Sequence, residues 1–277
     1  MEQEISIVRA CRVIDLDRSM WYYQSVKDDS FVEAKLLEYA GGKLANRGFP
    51  EYYKRIRKEG LIWNHKRVHR VYTKLGMNKR KRYKRRIPNP VKQPLTQPLQ
   101  ENHTWSMDFM HDCLESGRKI RTLNILDDYN REALAIEVDY SFPSERVTEV
   151  VKQLIEWRGK PEKIRTDNGT EFIAQAFENF CKDHSIEHLR IQKGKPSQNS
   201  YIERFNRSYR DGVLDEFIFK SLEEVREKTQ EWMEDYNHHH PHGSLGDLSP
   251  VEFATSRKSP GDASAPLRPH RRFELFG

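Results

Sequence analysis

From residue 101 onward the apolar residues switch repeatedly between two spacings, and the order of the switches narrows the fold more than any other feature. In the run WSMDFM, Trp105, Met107 and Phe109 alternate with Ser106, Asp108 and Met110, the period of a strand. Two more strands are predicted over 119–129 (KIRTLNILDDY) and 132–140 (EALAIEVDY), parted by Asn130-Arg131, so the three read as an antiparallel meander. A helical period follows. Val147, Val150, Val151, Leu154 and Ile155 form one face, Ser144 is the expected cap, Gly159 the stop, and Pro161 lies just beyond. A short strand at 163–167 (KIRTD), a helix over 172–184, a strand at 186–191 (IEHLRI) and helices over 199–215 and 222–236 complete the series. This order predicts an α/β domain built on a mixed five-stranded sheet with flanking helices.

The chain upstream is of another kind. Residues 1–30 read as two short helices, Ile5–Cys11 and Arg18–Tyr23, which fit a small helix-turn-helix or a hairpin that only packs. Residues 31–78 read as helices broken at Gly41-Gly42, Gly48-Phe49-Pro50 and Gly60. In the last of these, Asn64 is the expected N-cap and Gly76 the stop. Val68, Val71, Tyr72 and Leu75 make an apolar stripe, and Lys66, Arg67, Arg70 and Lys74 fall opposite it. A row of cations beside a buried stripe suits contact with DNA phosphates; a solvated basic face is the plainer alternative.

Next comes KRKRYKRR, with Lys79, Arg80, Lys81, Arg82, Lys84, Arg85 and Arg86 in near succession, then Pro88, Pro90, Pro94 and Pro98. Such a stretch reads as an extended linker with a cationic arm. The predicted organisation is a helical DNA-binding region at 1–78, a basic, proline-rich linker at 79–100, a catalytic domain at 101–256 and a disordered tail at 257–277. Charge follows the same division. Residues 1–100 hold 23 Lys and Arg against 10 Asp and Glu, a net +13, which leaves −7 for the remainder of a chain whose total is +6. The basic part is the footprint of a polyanion partner. Cys11, Cys113 and Cys181 fit no CxxC spacing and suggest buried thiols in a reducing compartment rather than disulfides or zinc. No apolar run approaches a membrane span, and a cytoplasmic protein is expected.

Three acids carry the chemistry. Asp108 lies within the first predicted strand, Asp167 closes the strand before Asn168-Gly169, and Glu203 follows after 35 intervening residues, on a helix. Each alone has an ordinary explanation, as a strand residue facing water, as turn chemistry or as an exposed helical acid. Together they supply hard oxygen ligands for divalent metal, the requirement of metal-assisted phosphoryl transfer. The helix adds context: Asn199, Glu203, Asn206, Arg207 and Arg210 share one polar face that suits a metal next to a phosphate backbone, so Asn199, Asn206, Arg207 and Arg210 read as DNA contacts, whereas Tyr201, Phe205 and Tyr209 share another face, expected to be core.

These residues resemble a known family. Asp108, RTDNGTEF, the 35-residue gap and SYIERFNRSYR are similar to the retroviral-integrase-type Asp-Asp-Glu transposases, and most similar to the second-frame (OrfB) products of a large bacterial insertion-sequence family. GFPEYYKRIRKEG…WNHKRVHRVY resembles that family's helix-turn-helix-like region, and YNHHHPHGSLGDLSPVEF its ending. One departure is His240, where the family usually has Arg. Arg210, seven positions after Glu203, matches the family's basic residue. The resemblance implies a ribonuclease H-like (integrase core) fold, nicking at element ends and strand transfer by a 3′-hydroxyl. It implies that Asp108, Asp167 and Glu203 hold two Mg2+ ions, with Mn2+ able to substitute. The implied partners are double-stranded DNA (terminal inverted repeats and target), a first-frame (OrfA) product or a fusion with it, and a second copy of the chain.

Lesser candidates are Lys193 and Lys195, with Gln198, in the loop before the catalytic helix, and Asn168 beside Asp167, all read as DNA contacts. His238, His239, His240 and His242 read as a surface loop rather than a metal site, and Asp112, Asp127 and Asp128 as surface acids. Two other functions compete, a nuclease that only hydrolyses and a DNA-binding regulator without activity. The basic N-terminal region argues against the first and the complete acidic set against the second.

Overall fold

The computed structural model describes residues 6–23, 28–42, 44, 47–78, 95, 97–191 and 199–257. Its first part is helical: α1 (Ile7–Val13), α2 (Arg18–Trp21), α3 (Ser30–Gly41), α4 (Phe49–Lys58) and α5 (His65–Lys74). The ends of α5 are those its sequence predicts. The Asn64 side chain accepts the Lys66 backbone N–H, and Gly76 takes the left-handed φ of +69° that ends the helix without steric cost. Val68, Val71 and Tyr72 are buried with Val32 and Leu36 of α3 and Tyr52 and Ile56 of α4, forming a separate small core.

The second part runs β1 (Thr104–Cys113), β2 (Lys119–Asp127), β3 (Ala133–Asp139), α6 (Ser144–Arg158), β4 (Lys163–Thr166), α7 (Thr170–Ile173), α8 (Gln175–Asp183), β5 (Glu187–Arg190), α9 (Ser200–Tyr209), α10 (Leu222–His239) and α11 (Pro250–Arg257). The sheet order is β3-β2-β1-β4-β5, with the meander antiparallel and β4 and β5 parallel to β1. Strand alternation sorts side chains into two cores. Trp105, Met107 and Leu123 pack with Val147, Val151, Leu154 and Phe177 from α6 and α8. Met110, Ile136 and Val138 pack with Ile202, Phe205 and Tyr209 of α9 and Trp232 and Tyr236 of α10. β1 is therefore the central strand, covered on both faces, and an acid on it cannot be an edge-strand residue facing water.

Several expectations are corrected. The helix predicted over 172–184 is two helices, α7 and α8, parted at Ala174, whose extended backbone (ψ 142°) interrupts the ladder. Ser144 does not cap α6; the N-cap is Pro143, and Ser144 begins the helix with no side-chain capping bond. Asp127 and Asp128 are not surface acids but fully buried. They sit at the end of β2, where β1 begins and the turn folds over them. Asp127 accepts the backbone N–H groups of Asn102 and Tyr129, both at usual lengths of 2.8 and 2.9 Å. Asp128 pairs with Arg165 and accepts from Ser106. His240 and His242 are likewise not loop surface. Both rings pack on Tyr236, and His240 Nδ1 lies 3.3 Å from Glu51, while His238 and His239 are exposed.

That contact belongs to an attachment which the linker's composition does not announce. Arg55 of α4 makes a two-pronged pair with Asp235 of α10 at 3.1 and 2.8 Å, Lys54 and Lys58 pair with Asp247 and Glu252, and the Arg47 guanidinium lies over the Trp232 ring. Burial favours a protonated Glu51, yet His240, Arg47 and Arg55 hold its carboxyl down at about 2. The helical region is thus tied to the α/β domain through α4. The cationic run at 79–86 and residues 258–277 lie outside the described residues.

Burial pushes Asp127 up to about 7, against the two backbone N–H bonds that pull it down. An acid with a folded value above its unfolded value of about 3.9 contributes stability that is full below the unfolded value and lost as pH rises through the folded one. The thermal midpoint is therefore expected to fall between about pH 4 and 7 on this group's account. Asp127→Asn should flatten that part of the profile, and an unchanged slope in the variant would remove Asp127 as the titrating group.

Candidate active site

Asp108 sits on β1 with the parity of Met110, so it faces α9. The parallel register between β1 and β4 pairs Ser106 with Arg165, and continuing it two residues brings Asp167 alongside Asp108. α9 forms because Ile202, Phe205 and Tyr209 recur at helical spacing and bury on the sheet, which leaves Glu203 exposed at its edge. Asp108 responds to both neighbours. Burial above all, and then the charge of Asp167 and the more distant charge of Glu203, push its carboxyl up to about 6. One acid each from β1, the end of β4 and α9 thus lie near enough for the charges of Asp167 and Glu203 to act on Asp108. They are not closed around a single point: among the described residues no three His, Cys, Asp or Glu side chains stand together as a ready metal cage.

Each acid is held differently. Asp108 Oδ1 accepts its neighbour Phe109's backbone N–H at 2.9 Å, and Oδ2 accepts from Asn206 Nδ2 at 2.7 Å. Asp167 Oδ1 accepts the Gly169 backbone N–H at 2.9 Å. Gly169 matters for closeness rather than for conformation, since a Cβ there would stand 3.0 Å from Asp167 Oδ1 and press on that carboxylate. Behind this turn, Arg121 of β2 pairs with Glu171 of α7, and Phe109 stacks on Phe172, anchoring the segment to the sheet. None of the three acids has an ion-pair partner among the described residues, although Asp112 nearby pairs with Arg210. Three hard oxygen donors with no side-chain cation paired to them are a donor set of the kind a divalent metal takes.

The other predicted contacts divide. Asn206 turns inward and is 8% exposed. Asn199 is buried too, with Oδ1 unpartnered among the described residues. Arg210 ties the end of α9 to the end of β1, through the His111 carbonyl at 2.8 Å and Asp112 at 3.3 Å. Asn168 Nδ2 donates to the Ile191 carbonyl, fastening the turn after β4 to the end of β5. Arg207 is exposed and makes no ion pair with a described residue. On α5, Arg67 and Arg70 pair with Asp29 and Lys74 pairs with Glu33, so the basic row is partly neutralised by acids at the start of α3; Lys66 is exposed without such a pair. Lys193 and Lys195 lie outside the described residues. Sequence reasoning missed Asn124, Arg121 and Glu171. The signal for Asn124 was present, as an amide among Leu123, Ile125 and Leu126 on a strand otherwise fit for the core.

An integrase core domain model matches residues 98–196, and a second integrase core domain model matches residues 184–250. The chain is 35% identical over 263 residues to the insertion element IS407 uncharacterized 31.7 kDa protein of Burkholderia multivorans, covering 94% of this chain and 95% of that one. It is 36% identical over 264 residues to the insertion element IS476 uncharacterized 39.2 kDa protein of Xanthomonas euvesicatoria, covering 94% and 76%. The chain belongs to the bacterial insertion-sequence transposases with an integrase core. The transposase is also 26% identical over 240 residues to the transposase InsD of an IS2 insertion element of Escherichia coli, covering 81% of this chain and 79% of that one. It is a polynucleotidyl transferase acting on DNA, and the mixed five-stranded sheet expected from its strand order is the sheet observed. No helix among the described residues of the transposase is long and apolar enough to cross a membrane.

Proposed function

We propose that Asp108, Asp167 and Glu203 are the catalytic carboxylates of this transposase and hold divalent metal, two Mg2+ ions with Mn2+ able to substitute. The observation that supports this best is the placement of Asp108, a buried acid on the central strand whose carboxyl is pushed up to about 6 by burial and by the charges of the other two. A bound divalent cation would supply charge neutralisation at the scissile phosphate and an activated attacking oxygen. The chain's own share is positioning. β1, β4 and α9 present the three acids, Gly169 lets the Asp167 turn close, and Arg210 locks α9 to β1, so that little reorganisation remains when DNA binds. The reading extends to two steps, hydrolytic nicking at the element's ends and attack by the freed 3′-hydroxyl on target DNA.

The proposed DNA contacts are exposed Lys66 and Arg207, with the cations of 79–86 and Lys193 and Lys195 as sequence candidates. A first-frame product, or fusion with it, and a second copy of the chain are the proposed protein partners, since joining two ends requires holding both. A supercoiled plasmid carrying the element's ends, incubated with the purified chain and Mg2+, is expected to give joined products that EDTA abolishes. Nicked or linear products alone would indicate a nuclease, and a mobility shift without cleavage an inactive binder.

A further inference from the structure

Asn124 and Asp108 face each other across the β1–β2 pairing, and Asn124 is fully buried in a strand of aliphatic residues. Its Nδ2 donates to Asn206 Oδ1 at 2.7 Å, and Asn206 Nδ2 donates to Asp108 Oδ2 at 2.7 Å. We propose that these two asparagines form an amide relay that positions Asp108 against the helix carrying Glu203, making Asn206 and Asn124 positioning residues for the metal-binding carboxylate. The proposal rests on the assignment of Asp108 to that role.

The polarity of the relay follows from Asp108. A side-chain amide offers donors at one end and an acceptor at the other. Facing an ionised carboxylate, Asn206 must present its NH2 group, which turns its carbonyl away toward β2. Asn124 then has to donate, and does so at the expense of its own Oδ1, which is buried with no partner among the described residues. Turning Asn124 over would satisfy that oxygen only by turning Asn206 as well, setting its carbonyl against the Asp108 carboxylate, oxygen to oxygen. The unpartnered acceptor is thus the consequence of a donor being delivered to Asp108.

Asn206 lies one turn after Glu203 on α9, so the same bond sets how that turn sits over β1. With Phe109's backbone N–H on Oδ1 and Asn206 on Oδ2, both Asp108 oxygens are held and the plane of the carboxylate is fixed. Partners of this kind orient a ligand without touching the metal.

The test uses the full chain with Asn206→Leu, Asn124→Leu, the double variant and Asp108→Asn. One readout is the shift of the unfolding temperature by Mg2+ or Ca2+ without DNA, and another is the Mg2+ dependence of strand transfer. Asn206→Leu is expected to raise the Mg2+ needed for half-maximal effect in both by roughly 10–100-fold, with metal-free DNA binding unchanged. The double variant, apolar at both positions, should unfold near the wild-type temperature without metal yet keep the metal defect of Asn206→Leu, no worse. An unchanged metal titration in Asn206→Leu, or defects that add as if independent, would overturn the relay while leaving the site intact. If Asn206→Leu does not fold, the same titrations of Asn124→Leu and the double variant decide for or against the relay: a weakened Mg2+ response supports it and a wild-type response overturns it. Strand transfer retained by Asp108→Asn would instead overturn the site assignment itself.

Discussion

Asp108→Asn, Asp167→Asn and Glu203→Gln are each expected to lower cleavage and strand transfer by at least roughly 10³-fold while leaving DNA binding in place. The substitutions keep the size and shape of the side chain, remove the negative charge that a divalent cation needs and exchange one acceptor oxygen for an NH2 donor. Asp108→Asn relieves a crowded acid, since its carboxyl is buried and faces two like charges, but gives up one of the two hydrogen bonds that the carboxylate accepts, so stability should stay near the wild-type value. That combination, an inactive protein of near wild-type stability, is what separates a catalytic carboxylate from a structural one. Because the three would act on the same cations, a double substitution should cost hardly more than a single one. The measurements are a mobility shift on end DNA, the plasmid joining assay and a thermal melt on the same preparations. Mg2+-dependent joining retained by Asp167→Asn would overturn the proposed set.

The second large effect concerns stability. Arg165→Met is expected to destabilise the fold by about 3–5 kcal/mol, the scale for stranding one partner of a buried ion pair. Asp128 has no exposed surface, and burial raises its carboxyl against the opposing pull of Arg165, Ser106 and Arg131. Removing the guanidinium leaves an anion in the interior with one hydroxyl donor. Asp128→Asn in the same chain removes the stranded charge and should restore more than half of the loss. With the folded value of Asp128 raised further in Arg165→Met, its stability should recover as pH falls, the reverse of a paired surface acid. Urea unfolding at pH 5 and pH 8 reads both effects, and a loss within about 1 kcal/mol at pH 8 would mean that the pair contributes little.

How much of this was legible in the chain differs by element. Strand and helix periods need only local sequence, so the order of elements and the ends of α5 could be read directly from Asn64 and Gly76. The three acids proposed as catalytic stand out in the chain because their spacing forms a pattern recognisable there alone. The roles of their neighbours were not. Asn206 and Arg210 look like outward polar residues on a helical stripe, yet one bonds Asp108 and the other the end of β1. Asp127 and Asp128 resemble turn acids and are instead fully buried, because the β2–β3 turn folds back over the start of β1. The basic row on α5 looked free and is partly paired with Asp29 and Glu33, from a helix whose packing angle no local pattern records.

Side-chain type and apolar period are local properties, so the layers of the fold and the acids proposed for its chemistry can be read along the chain. Which polar groups meet depends on how the packed elements land on one another. A hydrogen bond such as that of Asn206 with Asp108 joins residues 98 positions apart. Its existence depends on how a helix face lands on a strand face, and apolar burial dictates that landing to within a turn without encoding the partners one by one.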